Sequence, residues 1–166
     1  MTVFEHPASA PPLRPVVVDT SAWIEFLANS DLGRQIKSTL PPFTHCIVPT
    51  IVQHELAKWA LRTLNINQHD FIERTLEDCP VDMLDTATAK EAAKINAKYK
   101  LPSADALIYA TAQKFSAEVI TCDAHFKDLP LVQFYPKNAK PRGVGIGSDG
   151  RWEGWPTSAQ MSPLIQ

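Results

Sequence analysis

The sequence predicts an α/β fold built on a mainly parallel sheet, and three observations predict it. Short apolar runs alternate with helical patterns from residue 16 to residue 134. Such alternation marks strands joined by helical crossovers, right-handed by the usual rule. The run Val16-Val17-Val18 is β-branched and apolar throughout, as a central parallel strand buried on both faces must be. Acids follow the strands or sit in the opening turns of helices, at the end of the sheet where α/β folds keep their functional crevice.

Composition sets the bounds. At 166 residues, 45% hydrophobic and 20% charged, the chain is sized for one soluble domain with a real core. It has no run of about 18 apolar residues, so no membrane span is expected. The N-terminus lacks the basic start and apolar centre of a signal peptide. Cys46, Cys79 and Cys122 show no metal-ligand spacing and are expected as buried free thiols in a reducing cytoplasm. A net charge of −2 neither demands nor excludes nucleic acid, so any phosphate binding must be local.

Residues 1–15 carry Pro7, Pro11, Pro12 and Pro15 without periodicity and read as a disordered leader. A folded domain is expected over residues 16–136. Its first strand, Val16–Val18, ends at Asp19-Thr20-Ser21, and Ala22 to Leu27 reads as helix. Asp31 is placed to cap a second helix to about Leu40, where Pro41-Pro42 stops it. Cys46 to Val48 reads as a buried strand closed by Pro49, and Thr50 as the cap of a helix from Ile51 to about Leu64. Helix is expected again over Asn67 to Asp78, and strand over Val81 to Leu84. Asp85 caps a helix over Thr86 to Tyr99, whose Lys90, Glu91, Lys94 and Lys98 form a solvated side. Ser103 is the expected cap of the next helix, followed by strands at Ala117–Thr121 and Leu131–Phe134. From residue 137 the composition changes. Five of the 6 glycines lie between Gly143 and Gly154, beside Pro141, Pro156 and Pro163. Residues 137–166 therefore read as an irregular tail, with Trp152 and Trp155 either packing back or docking a partner.

Four acids stand out. Glu55 shares a helix face with Val52 and Trp59, and Asp105 with Ile108, Tyr109 and Ala112. A carboxylate on an apolar face is costly unless something offsets its charge. Asp19 and Asp123 each lie just past a strand. Singly, each has an ordinary explanation: a first-turn acid suits the helix dipole, and Asp after a strand often begins a turn. Together, all four can reach one end of the sheet. Two unit charges about 4 Å apart repel by roughly 4 kcal/mol at an effective dielectric near 20, and no Lys, Arg or His accompanies each acid at fixed close spacing. Hard oxygen donors without His or Cys point to Mg²⁺ or Mn²⁺. One or two such ions activate water for in-line displacement at phosphorus. Thr20, Ser21 and Thr121 offer hydroxyls to a bound water or a phosphate oxygen. His125 could touch substrate, yet the five histidines lack ligand spacing and read as surface or satisfied core.

The stretches VVVDTSAWIEF, IVPTIVQHELAKWA, LPSADALIYATA and VITCDAHF resemble the four acidic blocks of PIN-domain nucleases, most closely VapC-type toxins of toxin–antitoxin pairs. The resemblance runs from Val16 to about Phe134. It implies a three-layer α/β/α sandwich and metal-dependent endoribonuclease activity. The family's metal-binding and catalytic acids fall on Asp19, Glu55, Asp105 and Asp123, and its hydroxyl positions on Ser21 and Thr121. It further implies an RNA substrate, a homodimer, and an antitoxin whose helical segment lies in a groove near the site. Arg34, Lys37, Lys58, Arg62 and Lys127 are candidates for holding RNA phosphates. Two rival readings stand beside this one. A haloacid-dehalogenase-type phosphatase would use Asp19 as nucleophile, but Ser21 occupies the place of its second Asp. A PIN-like module without catalysis would bind only RNA or protein, though all four acids are present.

Overall fold

The computed structural model describes residues 13–63 and 66–137. The expected leader up to residue 12 and the tail from residue 138 lie outside them. The chain forms β1 (Val16–Val18), α1 (Thr20–Leu27), α2 (Asp31–Thr39), β2 (Cys46–Pro49), α3 (Thr50–Thr63) and α4 (Ile66–Leu76). It continues through β3 (Val81–Asp82), α5 (Thr86–Tyr99), α6 (Ser103–Lys114), β4 (Glu118–Thr121) and β5 (Val132–Phe134). Short 3₁₀ turns at Phe43–His45 and Ala124–Phe126 lead into β2 and out of β4.

The five strands form one sheet in the order β3-β2-β1-β4-β5, and every neighbouring pair is parallel. The sheet is thus fully rather than mainly parallel among the described residues. With helices on both faces it makes the three-layer α/β/α sandwich. From β1 the chain moves outward through β2 to β3, then returns to place β4 on the other side of β1. The point of reversal lies between β1 and β4. Crevices form there because successive connections leave the carboxyl ends of the strands in opposite directions.

The apolar strand runs explain the packing. Val17, Val18, Val48, Val119 and Ile120 are wholly buried, each worth about 1.5–3 kcal/mol over the exposed state. Trp23 of α1 is also buried, with Phe26 and Phe43 set edge-on at 5.5 and 6.0 Å between ring centres. The turn from α1 into α2 depends on Gly33. A Cβ there would stand 2.0 Å from the Glu25 carbonyl oxygen, so only glycine lets the two helices approach this closely. No described helix is long and apolar enough to cross a membrane.

Several boundaries differ from expectation, most of them at helix starts. Asp19 itself caps α1, so the helix opens at Thr20 rather than Ala22. Ser30, not Asp31, caps α2, its hydroxyl accepting from the Gly33 N–H at 2.9 Å. Asp31 is already helical and pairs with Arg34. Thr50 is the first residue of α3 rather than its cap, and its hydroxyl accepts from the Leu84 N–H at 3.4 Å. Pro102 holds the cap position of α6, and Ser103 is the first helical residue. β3 covers only Val81–Asp82, and Met83 and Leu84 beyond it are 76% and 48% exposed. Asp85 does cap α5, accepting from the Thr88 N–H at 2.7 Å.

Candidate active site

The fold carries all four acids to the point of reversal. Asp19 follows β1, Asp123 lies two residues past β4, Glu55 sits in the second turn of α3, and Asp105 in the first turn of α6. All four line one cleft of about 280 Å³, together with Thr20 and Ser21.

Asp19 is the most deeply set, only 4% exposed. Its backbone N–H continues the sheet ladder, donating to the Ile120 carbonyl at 2.9 Å. Its Oδ2 accepts from the Ser21 N–H at 3.3 Å, from the Thr121 hydroxyl at 2.8 Å, and from the Ser21 hydroxyl. These donors favour the charged carboxylate, but burial outweighs them and pushes its pKa up, with the Glu55 charge adding to the rise. The same hydroxyls hold the loop after β4. Thr121 Oγ1 accepts from the Asp123 N–H at 2.9 Å, and Ser21 Oγ from the Cys122 N–H at 3.0 Å. Ser21 and Thr121 thus tie the Asp19 carboxylate to the loop after β4, each hydroxyl donating to the carboxylate and accepting a backbone N–H. Thr20 likewise donates to Glu55 Oε2 at 2.7 Å.

The outer side of the cleft is built differently. The Asp105 side chain is 15% exposed and that of Asp123 is 37% exposed. Burial first, and then the charges of Asp123 and Asp19, raise the Asp105 carboxyl to about 6 against the opposing influence of His125. His125 Nδ1 lies 3.1 Å from Asp105 Oδ2 and 3.1 Å from Asp123 Oδ1. Its backbone N–H donates to Asp123 Oδ1 at 2.9 Å, which folds the ring back over the acids. Asp105, Asp123 and His125 together present donor atoms all within 4.8 Å of one another. His125 is a surface residue, as its ordinary reading has it, and it also lies at the edge of the site beside Asp105 and Asp123. The signal available in the sequence was its place two residues after an Asp that begins a turn.

Cations also enter the cleft, and two of them are among the five candidates named from the sequence. Lys58 and Arg62 of α3 line it, as does Lys137. Arg34 is engaged elsewhere, with Asp31 and the Asn29 carbonyl. Lys37 and Lys127 do not line the cleft. A larger groove of about 730 Å³ runs between α3 and α4 but contains none of the four acids. All three cysteines are free and buried, and burial pushes their thiols up to about 12, which leaves them poor nucleophiles.

A fully parallel α/β/α domain with carboxylates gathered at its point of strand reversal defines a class of acidic-cleft proteins. Within that class the sequence matches the PIN domain family over residues 16–131, and the chain belongs to that family. No curated protein matches the sequence. Solved structures share the fold. A toxin–antitoxin complex from Klebsiella pneumoniae aligns at 23% identity and a TM-score of 0.65, covering 74% of this chain and 99% of that one. DNA-bound VapBC from Salmonella typhimurium aligns at 17% identity and a TM-score of 0.60, covering 75% and 98%. VapC20 of Mycobacterium tuberculosis, a toxin that cleaves the sarcin–ricin loop, aligns at 17% identity and a TM-score of 0.59, covering 73% and 99%.

Proposed function

We propose that this protein is a metal-dependent endoribonuclease, the toxin of a toxin–antitoxin pair. The observation that carries the reading is the convergence of Asp19, Glu55, Asp105 and Asp123 on one small cleft from four separate elements. Family membership supports a nuclease, and likeness to toxin structures supports the toxin role.

The donor set fits Mg²⁺ or Mn²⁺. The four acids offer carboxylate oxygens, with the His125 nitrogen at the exposed edge, and a hard cation would offset both the burial and the neighbouring charges of Asp123 and Asp19 that raise the Asp105 carboxyl. Asp105 and Asp123 would hold the ion from the outer side, with Asp19 and Glu55 completing the acidic wall. When bound, such an ion supplies the positive charge that stabilises in-line displacement at a phosphodiester. The chain's own groups supply geometry. Ser21 and Thr121 fix the Asp19 carboxylate, Thr20 fixes Glu55, and the 3₁₀ turn fixes Asp123. His125, on the exposed lip, sets its Nδ1 3.1 Å from both Asp105 and Asp123.

The phosphatase alternative requires Asp19 open to attack phosphorus. Asp19 is 4% exposed with three donors on one oxygen, which suits a fixed carboxylate better than a nucleophile. Free buried thiols accord with a cytoplasmic protein. A second copy of the chain and an antitoxin with a helical, basic segment complete the proposed assembly.

The test is cleavage of an RNA panel by purified protein with Mg²⁺, Mn²⁺ or EDTA, beside Asp105→Asn. Cleavage dependent on metal and lost in the variant is expected. Intact RNA under every condition, or equal cleavage by a folded Asp105→Asn, overturns the assignment. Expression alone should arrest growth, and expression of Asp105→Asn should be tolerated.

A further inference from the structure

We propose that the face of α3 beyond Glu55 is a ledge that carries single-stranded RNA out of the cleft, Lys58 and Arg62 holding backbone phosphates and Trp59 carrying a base. The inference rests on the ribonuclease reading above and adds the path of its substrate.

Helical spacing makes the ledge. Glu55, Lys58, Trp59 and Arg62 stand at intervals of three, four and seven, so they share one side of α3, and all four line the acid cleft. At about 1.5 Å per residue, Arg62 lies about 10 Å farther along the axis than Glu55. That distance takes a strand whose scissile phosphate lies among the acids to a phosphate beyond it.

The partners of these side chains point the same way. Lys58 and Arg62 are exposed, and neither forms an ion pair with any acid among the described residues, although four carboxylates share their cleft. Glu55 lies one turn from Lys58, yet its carboxylate accepts from Thr20 instead. The Arg62 Nε–H donates to the Lys58 carbonyl at 3.2 Å, which orients the guanidinium along the helix. Lys137, by contrast, lies 3.7 Å from Glu25 and has its charge partly matched. Between the two unmatched cations, Trp59 packs against the core on one side and borders the cleft on the other. Two cations flanking an aromatic ring match the needs of an unpaired strand, whose phosphates are charged and whose bases expose a π-face. A duplex would keep its bases stacked away from Trp59, so the ledge selects single-stranded RNA.

Binding tests this without cleavage. In full-length Asp105→Asn protein at fixed Mg²⁺, a fluorescent single-stranded RNA is titrated at several salt concentrations. Lys58→Ala and Arg62→Ala should each weaken binding and flatten the log–log salt slope by about 0.7, the value for one lost single-strand phosphate contact. Trp59→Ala should weaken binding about fivefold or more, and Trp59→Phe should restore most of it. Lys37→Ala, away from the cleft, should bind like the parent. In the otherwise wild-type enzyme, Lys58→Ala and Arg62→Ala should raise KM and leave kcat within about twofold. A folded Lys58→Ala/Arg62→Ala double variant that keeps the parental affinity and slope overturns the ledge, while metal-dependent cleavage by the wild type still stands. A parent that neither binds nor cuts any RNA overturns the ribonuclease reading and the ledge with it.

Discussion

Asp19 and Asp105 border the same cleft but are held in opposite ways. Asp19 is almost wholly buried, and the hydroxyls of Ser21 and Thr121 offset part of the burial that raises its pKa. Asp105 has His125 beside it as its one hydrogen-bonding side chain among the described residues, while burial, and then Asp123 and Asp19, push against its ionisation. Neutral donors fix a carboxylate whatever else is bound. A carboxylate opposed by its neighbours keeps an unmet demand for positive charge. In the inner half of the site the carboxylate is therefore fixed mainly by hydrogen bonds, and the outer half is where the proposed cation would change the energy most.

The largest expected effect does not separate the two halves. Asp19→Asn and Asp105→Asn should each lower RNA cleavage at least about 100-fold, as loss of an electrostatic group at a reaction centre commonly does. Single-turnover cleavage with folding checked by circular dichroism measures it. Near-normal cleavage by either variant would break the pairing of the halves at once.

Stability should then separate them. Thr121→Val keeps the shape of a fully buried side chain but removes its donor to Asp19 and its acceptor for the Asp123 N–H. A cost of about 1–3 kcal/mol is expected in urea unfolding. Asp105→Asn should act in the other direction in EDTA at pH 7, raising stability by on the order of 2 kcal/mol. If both variants melt below wild type, Asp105 is held by acceptor bonds like Asp19, and the contrast disappears.

The pH dependence sharpens the same point. The folded pKa of Asp105 is raised from 3.8 to about 6, so folding favours its protonated form. That contribution is complete below about pH 4 and is lost as pH rises through about 6. In EDTA, the stability gap between Asp105→Asn and wild type should be small at pH 4 and widest near pH 7. A gap that does not change with pH would assign it to packing. Mg²⁺ should close the gap from the other side, adding about 1.4 kcal/mol to wild type at ten times its Kd and less to Asp105→Asn. The smallest effect is a control. Glu91→Gln breaks an exposed pair with Lys94 far from either half, and it should change stability by less than about 0.5 kcal/mol.

Much of this was legible in the sequence, for reasons that particular residues make plain. Val16–Val18 and Cys46–Pro49 declare themselves because strands buried on both faces leave no room for polar residues. The acids on apolar helix faces were visible because Ile108, Tyr109 and Ala112 fix the buried side of α6. Caps were harder to read. Asp31 and Ser103 have cap chemistry, but Ser30 and Pro102 precede them, and local geometry chose the earlier residue. The gathering of His125, Lys58 and Arg62 around the acids was not legible as a set. Lys58 and Arg62 share a helix face with Glu55 by spacing, but their meeting with His125 depends on the 3₁₀ turn after β4, which that spacing does not encode.

The hydrogen bond from Thr121 to Asp19 spans 102 residues of chain. Translation proceeds at about 5–20 residues per second, so roughly 5–20 s separate the synthesis of the two ends. Through that interval β1 has no β4 beside it, Asp19 has no Thr121, and neither Asp123 nor most of α6 has been made. The acid cleft is therefore incomplete until β4 has been made. For the ribonuclease proposed above, born on a ribosome among RNA, delayed closure of the sheet would act as a safety interval.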